Sequence, residues 1–283
     1  MIYRVRHETR FAYDGAVTHG YSEARLLPRA TPRQQVLTSG LTVDPEPDDR
    51  SEREDFFGNR VVYLGIAHPH GALVVAAEAD VEIGSAPEPA EVAWEEAVVD
   101  GGEATQFTLE SPLVELPEGA ERYARRSFPA GRGLLEAAGE LTERIHDDFA
   151  YSPGATTVLT PVSEVLARRR GVCQDFAHLE IACLRSLGLP ARYVGGHLET
   201  GVGVGASHAW CALRLPDGSW LDLDPTNRRV APAHVTVAWG RDYTDVAPLK
   251  GIVFTEARHH LSVSVTVQRV DGALASEGPR PLP

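Results

Sequence analysis

The sequence predicts an α+β fold. An N-terminal β-sandwich is followed by a part in which a helix carrying a cysteine packs on an antiparallel sheet carrying a histidine and an aspartate. Three observations predict it. Apolar residues alternate with period two up to about Ile83, helical spacing takes over after a Pro/Ala/Glu-rich stretch, and strand and hairpin patterns return after Ala191.

In chain order, Tyr3, Val5, His7, Phe11 and Tyr13 share one parity, with Arg4, Arg6, Glu8 and Arg10 on the other. That is a half-buried strand. R-V-V-Y-L-G-I-A after Asn59 and A-L-V-V-A-A-E-A-D-V-E-I after Gly71 read as further strands, and the acidic D-P-E-P-D-D-R-S-E-R-E-D that precedes them reads as a solvated loop. S-A-P-E-P-A-E at 85–91 is the linker candidate, which divides the chain into 1–90 and 91–283. Beyond it, Leu134, Leu135, Ala138, Leu141 and Ile145 fall on one side of a helix, and Val162 to Arg169 form a short helix behind Pro161.

Composition limits the function classes. The 283 residues can bury a sizeable core, and their net charge is -13. Phosphate backbones and anionic membranes call for a basic face, so neither nucleic acid nor a membrane is an expected partner. Lys250 is the only lysine, so the protein is expected to be a poor amine donor in any lysine chemistry. The opening M-I-Y-R-V-R-H-E-T-R reads as a strand and not as a signal peptide, and no apolar run approaches membrane-spanning length. Three cysteines, Cys173, Cys183 and Cys211, are too few for a disulfide scaffold and suggest a reducing cytoplasm.

Cys173 is the cysteine with a chemical context. Phe176, Leu179, Cys183, Leu184 and Leu187 follow it at helical spacing, with Gly188 and Pro190 as the stop. Cys173 therefore falls at the helix N-terminus, where free N–H groups and the positive end of the macrodipole activate a thiol. Cys183 lies in the middle of the apolar stripe and reads as a packing residue.

A base for Cys173 is found in S-H-A-W-C-A-L-R-L-P-D-G-S-W-L-D-L-D-P-T-N, residues 207–227. L-P-D-G-S has the chemistry of a three-residue hairpin loop, with Gly218 as the left-handed residue. Leu215 then pairs with Ser219, paired numbers sum to 434, and His208 and Asp224 become diagonal neighbours on one face, about 7–8 Å apart at the backbone. Asp222 shares that face one repeat further away. Cys211 points to the opposite face. A two-residue loop would flip this parity. Nucleophilic cysteine catalysis needs such a set, a thiol, a base, and a carboxylate that fixes the base's tautomer. No C-x-x-C pair exists, and H-x-x-C on a strand sends its side chains apart, so no metal site is expected. His178 reads as a helix-surface or core histidine. His259 and His260 read as the start of a solvent-facing strand edge.

These residues resemble the bacterial transglutaminase-like proteins, whose fold is related to papain-like cysteine proteases. The resemblance rests on G-V-C-Q-D-F-A-H at 171–178, L-G-L-P-A-R-Y-V at 187–194, S-H-A-W at 207–210 and W-L-D-L-D-P-T-N at 220–227. It extends to F-A-Y-S-P-G-A-T at 149–156, to G-R-D-Y-T-D-V-A-P-L-K-G at 240–251 and to the N-terminal β part. It implies Cys173 as nucleophile, His208 as base and Asp224 as acidic orienter. The Cys173 backbone N–H is one oxyanion donor, and Tyr151 and Gln174 are the candidates for a second. Neither cofactor nor metal is implied, since no calcium-loop spacing occurs around Asp48.

The expected activity is cysteine-dependent acyl transfer or hydrolysis at an amide of a protein or peptide substrate. The same three residues serve crosslinking, deamidation and proteolysis, so a peptidase or amidase using water stays open as the alternative. A non-catalytic binding protein is the reading from another class, and its usual sign, a lost triad residue, is absent. A redox-sensing thiol would need a resolving cysteine near Cys173. T-G-V-G-V-G-A at 200–206 is a candidate mobile wall of the site.

Overall fold

A computed structural model describes residues 1–85, 89–98, 101–201, 205–228, 234–255 and 258–270. The expected linker at 85–91 and the expected glycine-rich wall at 200–206 lie partly outside these residues, at 86–88 and 202–204.

Six strands open the chain: β1 (Ile2–Val17), β2 (His19–Ala24), β3 (Gln34–Asp44), β4 (Asp49–Glu54), β5 (Arg60–Ile66) and β6 (His70–Ile83). Two short 3-10 turns, Trp94–Ala97 and Glu103–Phe107, lead to α1 (Glu118–Ala124) and α2 (Leu134–Asp148). Then come β7 (Ala150–Tyr151), α3 (Val162–Arg168), β8 (Arg170–Gly171) and the cysteine helix α4 (Cys173–Arg185). β9 (Ala191–His197), β10 (His208–Arg214), β11 (Trp220–Leu223) and β12 (Val235–Gly240) follow. A single turn, α5 (Tyr243–Val246), precedes β13 (Leu249–Phe254) and β14 (His259–Val270).

The sandwich is two four-stranded sheets, ordered β14-β1-β6-β3 and β13-β2-β5-β4. In β1 the alternation is realised as predicted, with Tyr3, Val5 and His7 buried and Arg4 and Arg10 exposed. Leu26, Leu27, Leu64, Leu73 and Val75 fill the space between the sheets. Two expectations are corrected here. The acidic 44–55 stretch is not all loop: Asp49–Glu54 is β4, paired to β5 with all six residues exposed. An edge strand solvated on both sides needs no apolar alternation, and its charges discourage pairing with a second chain. The division at 90/91 is the other. β13 pairs with β2 and β14 pairs with β1, so the last strands of the expected second part complete the sandwich.

The third sheet, β11-β10-β9-β12, carries α4 on one face. Phe176, Leu179, Cys183 and Leu184 of α4 share a core with Leu134, Leu141 and Ile145 of α2 and with Cys211 and Leu213 of β10. Cys183 and Cys211 are both packing residues. The helix ends as its sequence predicts: Gly188 has φ +78°, and Leu189 N–H donates to Leu184 O at 3.1 Å.

The sandwich is fastened to the free edge of β12 by two side-chain amides. Gln34 donates to Thr236 O (2.7 Å) and accepts from Thr236 N–H (2.9 Å). Asn59 does the same at Trp239, at 2.8 and 2.9 Å. Each amide thus stands in for a neighbouring strand and satisfies backbone groups that the edge would otherwise leave open. Among the described residues, no helix is long and apolar enough to cross a membrane.

Candidate active site

Cys173 opens α4 behind Val172, whose apolar side chain cannot cap the helix. Asp175 caps it instead. Its Oδ2 accepts from Val172 N–H at 2.7 Å and from the Thr156 hydroxyl at 2.6 Å. Asp175 is buried, and burial pushes its carboxyl up against these bonds. Gly171 has no room for a Cβ, which would lie 2.7 Å from Asp175. Its strand β8 pairs in parallel with β7 and brings Tyr151 near the helix start.

The hairpin has the register that its turn chemistry predicts. Cys211 pairs with Leu223 and Ala212 with Asp222, Gly218 has φ +87°, and Leu215 N–H donates to Ser219 O at 2.8 Å. His208 and Asp224 meet accordingly, Nε2 to Oδ2 at 2.8 Å, with both side chains fully buried. Asp222 is turned to another task, accepting from Trp210 Nε1–H at 3.1 Å.

Because Asp224 engages Nε2, His208 Nδ1 is left for the Cys173 thiol. Burial alone would push the His208 ring down. The bond to Asp224 and the neighbouring Cys173 outweigh it and raise the ring to about 9. Burial would likewise raise Asp224, but its bonds from His208 and His234 hold it well below the usual carboxylate range. The structure therefore brings Cys173, His208 and Asp224 together at one end of α4.

His234 is the member that sequence reasoning missed. Its Nε2 lies 2.9 Å from Asp224 Oδ2, so one carboxylate oxygen holds two imidazoles. A lone histidine before an apolar strand carries no spacing signal; only the pairing of β12 with β9 delivers it. Trp210 covers both rings, stacked on His208 at 6.1 Å and edge-on to His234 at 5.1 Å. Gly196 makes room for that indole, since a Cβ there would lie 2.6 Å from the Trp210 ring and 2.0 Å from Val235 O. By donor type, His208, Asp224 and His234 could hold a metal ion. The same atoms are already satisfied by hydrogen bonds to one another.

The other polar residues separate. His178 is a core histidine, accepting from Tyr243 N–H at 3.2 Å. Asp242 is buried and docks the 111–113 loop by accepting from Leu113 N–H at 2.9 Å. His259 and His260 lead the exposed edge strand β14. Gln174 spends its amide on Val158 O at 3.1 Å. Burial and the nearby Cys173 push the Tyr151 phenol up. A cavity of about 190 Å³ is lined by Cys173 and His208 and also by His7 and Arg25 of the sandwich.

Two family models match the chain. The bacterial transglutaminase-like N-terminal region matches residues 3–82, and the transglutaminase-like superfamily matches residues 122–225. An uncharacterized protein of Mycobacterium tuberculosis is 40% identical over 95% of this chain and 93% of its own length. One of Mycobacterium leprae is 37% identical over 94% and 98%. A protein-glutamine gamma-glutamyltransferase of Pseudomonas aeruginosa is 32% identical over 37% of this chain and 18% of its own. Among solved structures, one from Cytophaga hutchinsonii, described as a candidate cysteine protease, superposes with a TM-score of 0.77. It covers 96% of this chain and 92% of that one at 21% identity, a likeness of fold.

Proposed function

The chain belongs to the transglutaminase-like superfamily, and we propose from that premise that it catalyses acyl transfer at an amide of a protein or peptide through a thioester on Cys173. The observation that carries this reading is the orientation of the His208 ring. Asp224 holds Nε2, which leaves Nδ1 facing the thiol of the helix-start cysteine. A ring raised to about 9 is protonated at neutral pH, the form that can give its proton to a leaving amine.

In the first step Cys173 Sγ, its proton transferred to His208 Nδ1, bonds as the thiolate to the amide carbonyl carbon, and the Cys173 backbone N–H at the helix start faces the developing oxyanion. The C–N bond then breaks and its nitrogen leaves with the proton from His208 Nδ1. In the second step water or an amine attacks the thioester, the S–C bond breaks, and the nucleophile's proton passes to Nδ1. Asp224 stabilises the cationic ring in both steps.

One partial relative carries the name of a glutamine acyltransferase, so glutamine side chains are the first donors to offer. The test is mass spectrometry of glutamine-containing peptides incubated with the protein, with and without an added primary amine. Transfer predicts amine adducts, hydrolysis predicts deamidated or cleaved peptides, and Cys173→Ala should yield neither. Unchanged peptides in every arm would sink the reading.

A further inference from the structure

The cavity beside Cys173 has an anomaly in its wall. Twelve buried side-chain nitrogen and oxygen atoms lack a hydrogen-bond partner among the described residues, and five belong to residues lining this one cavity. They are His7 Nδ1, Arg25 Nη1, both ring nitrogens of His197, and His208 Nδ1. The last is accounted for by Cys173. The others are not, and a polar atom buried without a partner is destabilising.

His197 is 3% exposed and His7 is 1% exposed. Their rings lie 5.1 Å apart at 52° and do not hydrogen-bond to each other. His7 comes from β1 of the sandwich, held at Nε2 by Thr9 at 2.9 Å, whereas His197 closes β9. We propose that this pair is a recognition subsite for an uncharged, non-reacting amide of the substrate, next to the amide that Cys173 attacks. The proposal rests on the acyl-transfer reading for the reacting bond and makes the sandwich part of the substrate site.

The chemistry of the wall selects the guest. Burial pushes His7 down to about 4 and His197 to about 3, so both rings are neutral at physiological pH. A neutral imidazole offers one N–H donor and one bare acceptor. An amide has both complements, a carbonyl oxygen and an N–H. A carboxylate only accepts, and would leave the bare ring nitrogen of His197 without a donor. Arg25 would not compensate its charge, because Asp55 and Glu23 already hold that guanidinium, each at 3.2 Å. Nη1 of Arg25 remains as one further donor for a carbonyl oxygen.

The experiment uses the full chain with Cys173→Ala, so that no chemistry intervenes, and follows the ring nitrogens of His7 and His197 by NMR. N-methylacetamide should shift both rings saturably, while acetate at equal ionic strength should not. On the active protein, His197→Leu should raise KM for a peptide substrate about tenfold, the worth of one desolvated hydrogen bond, with kcat little changed. His197→Gln, which keeps a donor and an acceptor, should restore most of it. Shifts by acetate, shifts by neither probe, or an unchanged KM in His197→Leu would overturn the subsite. Absent turnover with N-methylacetamide shifts intact would overturn the acyl-transfer reading instead.

Discussion

Among the described residues, the Asp224 carboxylate accepts five hydrogen bonds. Oδ2 takes His208, His234 and the Asn227 amide, and Oδ1 takes the backbone N–H groups of Thr226 and Asn227 at 3.0 and 3.2 Å. The backbone bonds fix the rotamer, so the oxygen that faces His208 cannot swing away. Asp224→Asn should therefore lower turnover about 10³–10⁴-fold, because the ring loses its fixed tautomer and the support of its cation. Asp222→Asn leaves His208 untouched and should cost less than about tenfold, through its bond to Trp210. His234 acts through Asp224 as a positioning residue. His234→Leu should shift the alkaline limb of the pH–rate profile, and His234→Gln should restore it by donating again to Oδ2. Turnover surviving Asp224→Asn but lost in Asp222→Asn would refute the assignment.

At the scale of elements, one carboxyl determines where α4 begins. Asp175 satisfies the N–H of Val172 and ties Thr156 to the same oxygen, so the loop after β7 and the first turn of α4 are held as one piece. Asp175→Ala should cost about 1–3 kcal/mol by leaving a buried N–H and hydroxyl unpaired. Asp175→Asn keeps an acceptor and should cost less. Urea unfolding monitored by circular dichroism measures both; equal midpoints for wild type and Asp175→Ala would show that the helix start is held by packing alone.

The whole molecule buries ionisable groups whose protonation sets a stability window. Burial lowers His7 and His178 to about 4 and His197 to about 3. As pH falls below 6.5 the unfolded chain takes up protons that the folded chain refuses, so stability drops towards pH 4. Burial raises Glu180 to about 8, and its neighbours raise His208 to about 9. Those two hold protons in the folded state that the unfolded chain gives up, so stability falls as pH rises from 4.5 to about 8 for Glu180 and from 6.5 to about 9 for His208. Urea midpoints against pH should therefore peak between about pH 6 and 7. Glu180→Gln should flatten the alkaline limb and steepen the acid limb between about pH 4.5 and 6.5, where the Glu180 loss opposes the histidine gain. Midpoints constant from pH 4 to 6.5 would contradict the neutral burial of the three histidines.

The sequence by itself determined the parts of this protein whose signals are local. Periodicity placed β1, β5, β6 and α2, and Gly188 marked the end of α4. The Pro-Asp-Gly loop set a register from which the meeting of His208 and Asp224 follows, because strand parity is rigid once one pair is known. What only the tertiary structure decided lies across long sequence separations. β13 and β14 return to the sandwich because β1 and β2 offer unpaired edges, which no pattern near residue 249 encodes. His234 reaches Asp224, and His7 faces His197, only after sheets that are far apart in the chain have packed. In the sequence His7 is one member of an apolar parity; the partner that gives its ring a polar neighbour is 190 residues away, and burial rather than residue type makes both rings neutral.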